Sequence, residues 1–224
     1  MKEVNEMPEI ELVAITKPRS LVAEAYRTLR TNIEFASKGK IKTIEIASPE
    51  PDREKSIAVA NLAAVTAQSG KKVILVDADM RKPFQHEIFG IGNETGLSTL
   101  LQKGTSLEPI WRESGVDNLY VLTSGPITDT NPADLIDSPR MDEVIAFLRE
   151  NAEMVFFDAP PVIAVADASL LAAKVDGVLI AIRAGKTKRE HARQAKSFLE
   201  KAQANILGAF LLDAQGAVGL QGYY

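Results

Sequence analysis

One stretch constrains the fold of this chain more than any other, the segment TIEIASPEPDREKSIAVANLAA from Thr43 to Ala64. It runs from an apolar strand through a Pro-rich turn and then, through Lys55 and Ser56, into an apolar helix. Phosphate-binding loops lie between a strand and a helix in this way: backbone N–H groups cradle phosphate, a Lys reaches the outer phosphates and a hydroxyl binds Mg²⁺. Lys55 and Ser56 therefore predict an anion site at the start of the helix.

The loop lacks the glycines of that pattern. In G-x-x-x-x-G-K-[S/T], this chain has Pro49 at the first glycine position and Glu54 at the second. Gly reaches φ > 0 without penalty, whereas Glu does not and also adds a negative charge beside the phosphate. The loop by itself is thus a weak indication of a phosphate site.

Two further apolar segments end in carboxylates. KVILVDAD ends at Asp77 and Asp79, and MVFFDAPP carries Asp158. Such runs are typical of strands in a parallel sheet that is covered on both faces, and ligands bind at the carboxyl ends of these strands. Together with Lys55 and Ser56, these residues would form a magnesium–phosphate site. The alternative is that the three aspartates cap helices or turns.

Composition and periodicity fit one domain of this kind. The 224 residues are 46% hydrophobic and 25% charged, as expected for an ordinary globular chain. Strands alternate with helices, and the last stretches of the pattern include strands over Leu119–Leu122 and Ile206–Leu212. This alternation predicts right-handed crossovers and an α/β fold: a mostly parallel β-sheet flanked by helices on both faces, as in P-loop NTPases. We expect an N-terminal arm over residues 1–18, with a short strand around Leu12–Ile15, then the α/β domain over 19–213 and a Gly- and Tyr-bearing tail over 214–224.

Several classes of protein are disfavoured. The chain has no Cys, so disulfides, thiolate catalysis and Cys-ligated metals are excluded. A signal peptide and an apolar run approaching 18 residues are both missing from the sequence, which argues against membrane insertion. The formal net charge of −4 gives no indication of nucleic-acid binding.

A helix is predicted over residues 20–37. Its apolar positions recur at spacings of four and three, which predicts one buried face; they are Val22, Tyr26, Leu29, Ile33 and Ala36. The charged residues of EAYRTLR would then lie on the exposed side, either as a solvated face with a weak Glu–Arg pair or as an interface.

At these motifs the sequence resembles the bacterial tyrosine kinases of capsule and exopolysaccharide assembly, P-loop ATPases related to partition and division-site ATPases. SPEPDREKS is similar to their first Walker motif, VILVDADMRKP to their second A-type motif and VFFDAPP to their Walker B motif. The resemblance runs from about Ile15 to the C-terminus. It implies ATP (or ADP) and Mg²⁺ as cofactors and transfer of a phosphoryl group to tyrosine.

The resemblance also implies roles for individual residues. Lys55 would bind the β- and γ-phosphates, Asp79 would orient or deprotonate the phenol, and Ser56, Asp77 and Asp158 would organise Mg²⁺. Catalysis would therefore depend on Lys55, Asp77, Asp79 and Asp158. The residues implied around the nucleotide are Ser48, Pro51, Asp52, Arg53, Glu54, Lys55, Ser56 and Ile57, with Asp213 in place of an Asn that contacts the base.

Assembly follows from the same resemblance. Glu24, Arg27 and Arg30 match a Glu-x-x-Arg-x-x-Arg helix that mediates ring-shaped self-association. Tyr223 and Tyr224 would be the autophosphorylation sites, unless they form an aromatic tail that packs on the fold. A membrane-embedded chain-length regulator would supply an activating cytoplasmic tail, which implies a cytoplasmic protein held at the inner face of the membrane through that partner.

Alternative functions remain open because the loop departs from the family pattern. In its Pro-Gly-x-Gly-Lys run the family has Gly where this chain has Asp52 and Glu54, and both replacements predict weakened nucleotide binding. The chain would then be either a protein-tyrosine kinase with reduced affinity or an impaired scaffold or regulatory subunit of the same assembly. An ATPase that positions cargo on a surface shares the motifs, but it does not explain EAYRTLR or the terminal tyrosines.

Overall fold

A computed structural model describes residues 10–37, 39–102, 106–126 and 129–214. A seven-stranded sheet forms its centre, with strands β1 Thr43–Ala47, β2 Val73–Asp77, β3 Arg112–Glu113, β4 Leu119–Leu122, β5 Met154–Asp158, β6 Gly177–Arg183 and β7 Ile206–Leu212. The strand order is β3-β4-β2-β5-β1-β6-β7. All pairs are parallel except β3 with β4.

Helices cover both faces of the sheet, as predicted. They are α1 Val13–Thr16, α2 Leu21–Ser37, α3 Arg53–Ala67, α4 Gln85–Phe89, α5 Leu97–Leu101, α6 Pro132–Asp137, α7 Pro139–Asn151, α8 Asp167–Ala172 and α9 Arg189–Lys201. One core joins α1, α2, α3 and α4 to the sheet, and a second core joins α5, α6, α7, α8 and α9 to the opposite face. Helix α3 is buried nearly all round, because α2 packs on its outer side.

The described residues contain no helix that is long and apolar enough to cross a lipid bilayer.

Local sequence signals account for several helix starts. The Ser20 hydroxyl accepts a hydrogen bond from the Ala23 N–H at the start of α2, as expected for an N-cap. Helix α6 begins with Asn131 as N-cap and Pro132 in its first turn, where proline is favoured because its N–H would be unpaired. Helix α7 likewise has Pro139 in its first turn.

The predicted short strand around Leu12–Ile15 is wrong, because those residues form the four-residue helix α1. The Ala14 N–H donates to the Asn61 side chain of α3 at 2.8 Å, so a tertiary contact holds this turn. Strand β3 and helix α6 were not predicted; β3 has two residues, which is too short for a periodic signal.

The predicted faces of α2 are partly wrong. Ile33 is buried as expected, but Val22 is 52% exposed and Ala36 is exposed. Arg30 is half-buried, because its Nη1 donates to the Val65 carbonyl of α3 at 3.1 Å. The exposed face is formed instead by uncharged residues that lie on one side of the helix at spacings of four and three. They are Leu21, Ala25, Thr28, Asn32 and Phe35.

One carboxyl lies within the core. Glu45 of β1 is fully buried, and its register partners on the adjacent strands are Phe157 and Val178. Neither of its carboxylate oxygens has a hydrogen-bond partner within the described part of the chain. Burial therefore raises the pKa of Glu45 well above its usual value, although the charge of Lys55 opposes the shift.

Candidate nucleotide-binding site

The sheet topology brings the three predicted motifs together. Strands β2, β5 and β1 are neighbours, and Asp158 lies opposite Asp77 on one side and Ile46 on the other. Their carboxyl ends adjoin a cavity of about 400 Å³, a size that suits a small-molecule ligand. The cavity is lined by Pro51, Asp52, Arg53, Lys55, Ser56, Asp79, Arg81, Lys82, Pro83, Phe84, Pro160, Pro161, Ala164 and Val165.

Lys55 borders this cavity, but its ammonium group is buried and paired with Asp158. Its side chain is 3% exposed, and Nζ donates to the Asp158 carboxylate and to the Ala159 carbonyl. An ammonium group buried in this way is stabilised by its partner charge. Lys55 must therefore leave Asp158 before it can reach a phosphate in the cavity.

The two aspartates after β2 have different environments. Asp77 is fully buried, and its Oδ2 accepts from the backbone N–H groups of Phe84 and Gln85, both at 2.9 Å. Burial first, and the nearby Asp158 charge second, raise the pKa of Asp77 to about 8. Asp79 lines the cavity, and burial also raises its pKa. A carboxyl with a raised pKa at a cavity wall suits a proton acceptor.

Gln85 is a site residue that the sequence did not predict. It is fully buried, and its Nε2 donates to the Ser56 carbonyl at 3.0 Å and to Asp158 Oδ2 at 2.8 Å. Because both neighbours are acceptors, the amide must turn its NH₂ group toward them. Gln85 therefore joins the phosphate loop, the Walker B strand and, through its own N–H, Asp77. No sequence signal marked it.

The loop conformation corrects the expected backbone strain. Asp52 is extended, with φ of −151°, and Glu54 lies in the first turn of α3. Among the described residues, the non-glycine residues with φ > 0 are Asn118, Gln203 and Asp213. The prediction that Glu54 strains the loop is therefore wrong for this conformation. Asp52 instead caps α3, since its Oδ1 accepts from the Glu54 N–H at 3.0 Å.

Arg183 is a second site residue that the sequence did not predict. It lies at the end of β6, and its Nη1 is 3.2 Å from Asp52 Oδ1. Its Nε donates to Asp213 Oδ2 at 2.6 Å, and its Nη2 is 3.8 Å from Glu54 Oε1. The predicted base contact, Asp213, is thus linked to the phosphate loop by a shared guanidinium.

The remaining predicted residues lie near the site or outside the described residues. Ser48 is buried, and its hydroxyl donates to the Glu50 carbonyl at 2.7 Å. Ile57 is half-buried on α3. Tyr223 and Tyr224 lie outside the described residues.

The donors present fit a magnesium ion whose shell is shared with phosphates. Among the described residues, no group of three His, Cys, Asp or Glu side chains is arranged to hold a metal ion. Mg²⁺ in phosphate-binding proteins, however, usually takes one or two protein ligands, with the rest from phosphates and water. Ser56 borders the cavity, and its carbonyl and Asp158 Oδ2 both accept a hydrogen bond from Gln85 Nε2. This oxygen-only set suits Mg²⁺ better than softer metals.

Comparisons with known proteins agree with this geometry. The profile of a family described as an AAA domain matches residues 41–208. The tyrosine-protein kinase YwqD of Bacillus subtilis (strain 168) is 46% identical over 201 residues, covering 89% of this chain and 84% of the relative. The putative tyrosine-protein kinase CapB of Staphylococcus aureus is 38% identical, covering 87% of this chain and 86% of its own.

A solved structure gives the same result. The kinase domain of Escherichia coli tyrosine kinase ETK superposes with a TM-score of 0.85 at 30% identity, covering 97% of this chain and 87% of that chain. The parallel sheet and the strand–loop–helix at its carboxyl edge therefore define a P-loop ATPase fold, which binds nucleotide with Mg²⁺. Within that class, the chain belongs to the bacterial tyrosine kinase family.

Proposed function

We propose that this protein is a tyrosine kinase of capsule or exopolysaccharide assembly that transfers the γ-phosphoryl group of ATP to Tyr223 and Tyr224 of its own C-terminal tail. The observation that carries the proposal is the meeting of Lys55, Ser56 and Asp79 at one cavity. The relatives that match most of the chain are named as tyrosine kinases.

The residues divide the work of phosphoryl transfer. The phenol oxygen forms a bond to the γ-phosphorus as the bond to the β,γ-bridging oxygen breaks, leaving phosphotyrosine and ADP. Asp79 accepts the phenol proton, for which its raised pKa suits it. Lys55, once released from Asp158, neutralises the outer phosphates. Ser56, Asp158 and the buried Asp77 would hold the shell of a bound Mg²⁺, which would supply positive charge at those phosphates.

Weakened nucleotide binding is part of the proposal. A phosphate at the start of α3 would accept hydrogen bonds from the first N–H groups of the helix. The Asp52 carboxylate already accepts one of these, from the Glu54 N–H. A bound nucleotide must therefore displace a carboxylate that belongs to the protein.

The same observations favour a second candidate, an impaired scaffold or regulatory subunit. In this conformation Lys55 is paired with Asp158 and the N-terminus of α3 is capped by Asp52. A chain that could not exchange these contacts for nucleotide would keep the fold without the reaction.

We also propose a homo-oligomer that uses α2, and recruitment to the inner face of the membrane by a chain-length regulator whose cytoplasmic tail activates the kinase. Glu24 and Arg27 form an ion pair at 2.9 Å and remain partly exposed, whereas Arg30 contacts α3. The uncharged exposed face of α2 supports an interface, because a solvated helix face normally carries charges. Its largest member, Phe35, is 75% exposed.

Incubation with Mg²⁺ and labelled ATP tests the reaction. The partner tail is supplied, and phosphotyrosine is mapped by mass spectrometry. Label is expected on Tyr223 or Tyr224, lost in Tyr223→Phe/Tyr224→Phe and in Lys55→Met, whose thermal unfolding should confirm that it folds. Nucleotide binding without any labelled tyrosine would support the scaffold instead.

A further inference from the structure

Arg183 lies among three carboxylates at the edge of the phosphate loop. Its side chain is 21% exposed, and Asp52, at 3.2 Å, is 13% exposed. Asp213 contacts it at 2.6 Å and Glu54 approaches to 3.8 Å. The two loop carboxylates in this group are the ones that replace glycines of the family pattern. The guanidinium of Arg183 therefore lies close to both Asp52 and Glu54, the two residues that replace glycines.

The contact with Asp52 indicates what Arg183 does when a phosphate binds to the loop. Asp52 Oδ1 accepts from both the Glu54 N–H and Arg183 Nη1. A phosphate that takes the Glu54 N–H removes the first of these donors. The Arg183 contact then remains to hold the displaced carboxylate, and a guanidinium can bind it through two parallel hydrogen bonds.

The charge balance explains why such a contact is needed. Asp52, Glu54 and Asp213 carry three negative charges against the single positive charge of Arg183. This excess of negative charge also affects Tyr26 of α2. Burial first, and then the charges of Glu54 and Asp213, raise the pKa of its phenol to about 12. Without Arg183 the loop carboxylates would be free to turn toward an incoming triphosphate.

We propose that Arg183 is a positioning residue that holds the Asp52 and Glu54 carboxylates away from bound phosphates, so that this chain binds nucleotide although both loop glycines are replaced. The inference rests on the proposed nucleotide-binding function. Arg183 would thereby offset the unfavourable effect of Asp52 and Glu54 on phosphate binding.

A double-mutant cycle tests it. Mg²⁺-ADP is titrated calorimetrically into the natural protein, Arg183→Gln, Asp52→Gly/Glu54→Gly, and the triple variant. Arg183→Gln removes the same positive charge near the phosphates whether the loop is natural or carries the two glycines. A difference between the affinity losses that Arg183→Gln causes in these two loops therefore measures how far Arg183 acts by positioning the carboxylates. We expect a weakening of about tenfold or more in the natural loop and less than about threefold in the glycine loop.

Two variants serve as controls. Arg189→Gln makes the same charge change at an exposed position of α9 and should leave affinity within about twofold. Arg183→Lys keeps the charge without the fork and should fall between wild type and Arg183→Gln. Thermal unfolding of each variant shows whether it is folded.

Three results would overturn the inference. Equal weakening in both loops would mean that Arg183 acts through its field or through Asp213. Tighter binding by Arg183→Gln would mean that Arg183 instead keeps Asp52 on the Glu54 N–H. If neither the natural nor the glycine loop binds Mg²⁺-ADP, the proposed function fails and this inference fails with it.

Discussion

Replacing Asp52 and Glu54 by glycine should raise the affinity for Mg²⁺-ATP. The gain comes from freeing the Glu54 N–H, which Asp52 now occupies at 3.0 Å, and from removing two carboxylates beside the phosphates. A hydrogen bond that involves a charged group contributes about 1.5–3 kcal/mol. Glu54 is 43% exposed, so its charge is screened and adds less than about 1 kcal/mol. We expect a gain of at least ~2 kcal/mol, or more than about tenfold in Kd.

The same change should slightly destabilise the fold. Asp52 caps α3 and Glu54 lies in its first turn, where both interact favourably with the helix N-terminus. Their loss should cost about 0.5–1 kcal/mol of unfolding free energy. Affinity and stability would then move in opposite directions, which a general improvement in folding would not produce.

Isothermal titration calorimetry and urea unfolding measure the two quantities. Glu108→Gly/Asp117→Gly removes two exposed carboxylates that flank β3 in sequence and controls for net charge. Tight ATP binding by the natural protein, unchanged in the glycine variant, would contradict this prediction and mean that the loop reaches phosphate by another geometry.

Three further predictions concern the core, the metal shell and α2. Burial raises the pKa of Glu45 above its usual 4.5, so protonated Glu45 contributes fully to the free energy of unfolding below pH 4.5. This contribution is lost as the pH rises toward the folded pKa, by up to about 1.4 kcal/mol per pH unit. Urea unfolding at pH 5–8 should show that Glu45→Gln lacks this slope; parallel curves for the two proteins would contradict it. Gln85→Leu leaves Asp158 Oδ2 without its donor, so the ratio of ADP affinities with Mg²⁺ and with EDTA should fall at least about fivefold, and an unchanged ratio would limit Gln85 to a packing role. Phe35→Ser should give smaller particles in light scattering, whereas Leu211→Ser, an exposed apolar residue of β7, should not; a monomeric wild type with nucleotide and partner present would refute the interface.

The sequence predicted elements with a strong periodic signal and clear ends. Strands β4 and β7 have the predicted bounds, because apolar runs of strand length lie between turn residues there. The convergence of Lys55, Asp79 and Asp158 also followed from sequence, since the carboxyl ends of parallel strands share one edge of the sheet.

The errors have tertiary causes. Helix α1 depends on Asn61, which lies 47 residues away in the chain. Arg30 was expected on the exposed side of α2, but a long side chain can bury its stem and donate to a carbonyl of the next helix. Gln85 and Arg183 have ordinary surroundings in sequence, and their contacts reach across 73 and 131 residues. Such pairings depend on the assembled sheet.

We propose that the phosphate loop, although acidic, binds Mg²⁺-nucleotide through Lys55. The most direct test is a calorimetric titration of ATP into the natural protein and into Lys55→Met, with Mg²⁺ and with EDTA. We expect weak, saturable binding that needs Mg²⁺ and is lost in Lys55→Met. Absence of saturable binding by the natural protein, or binding that Lys55→Met leaves unchanged, would contradict it.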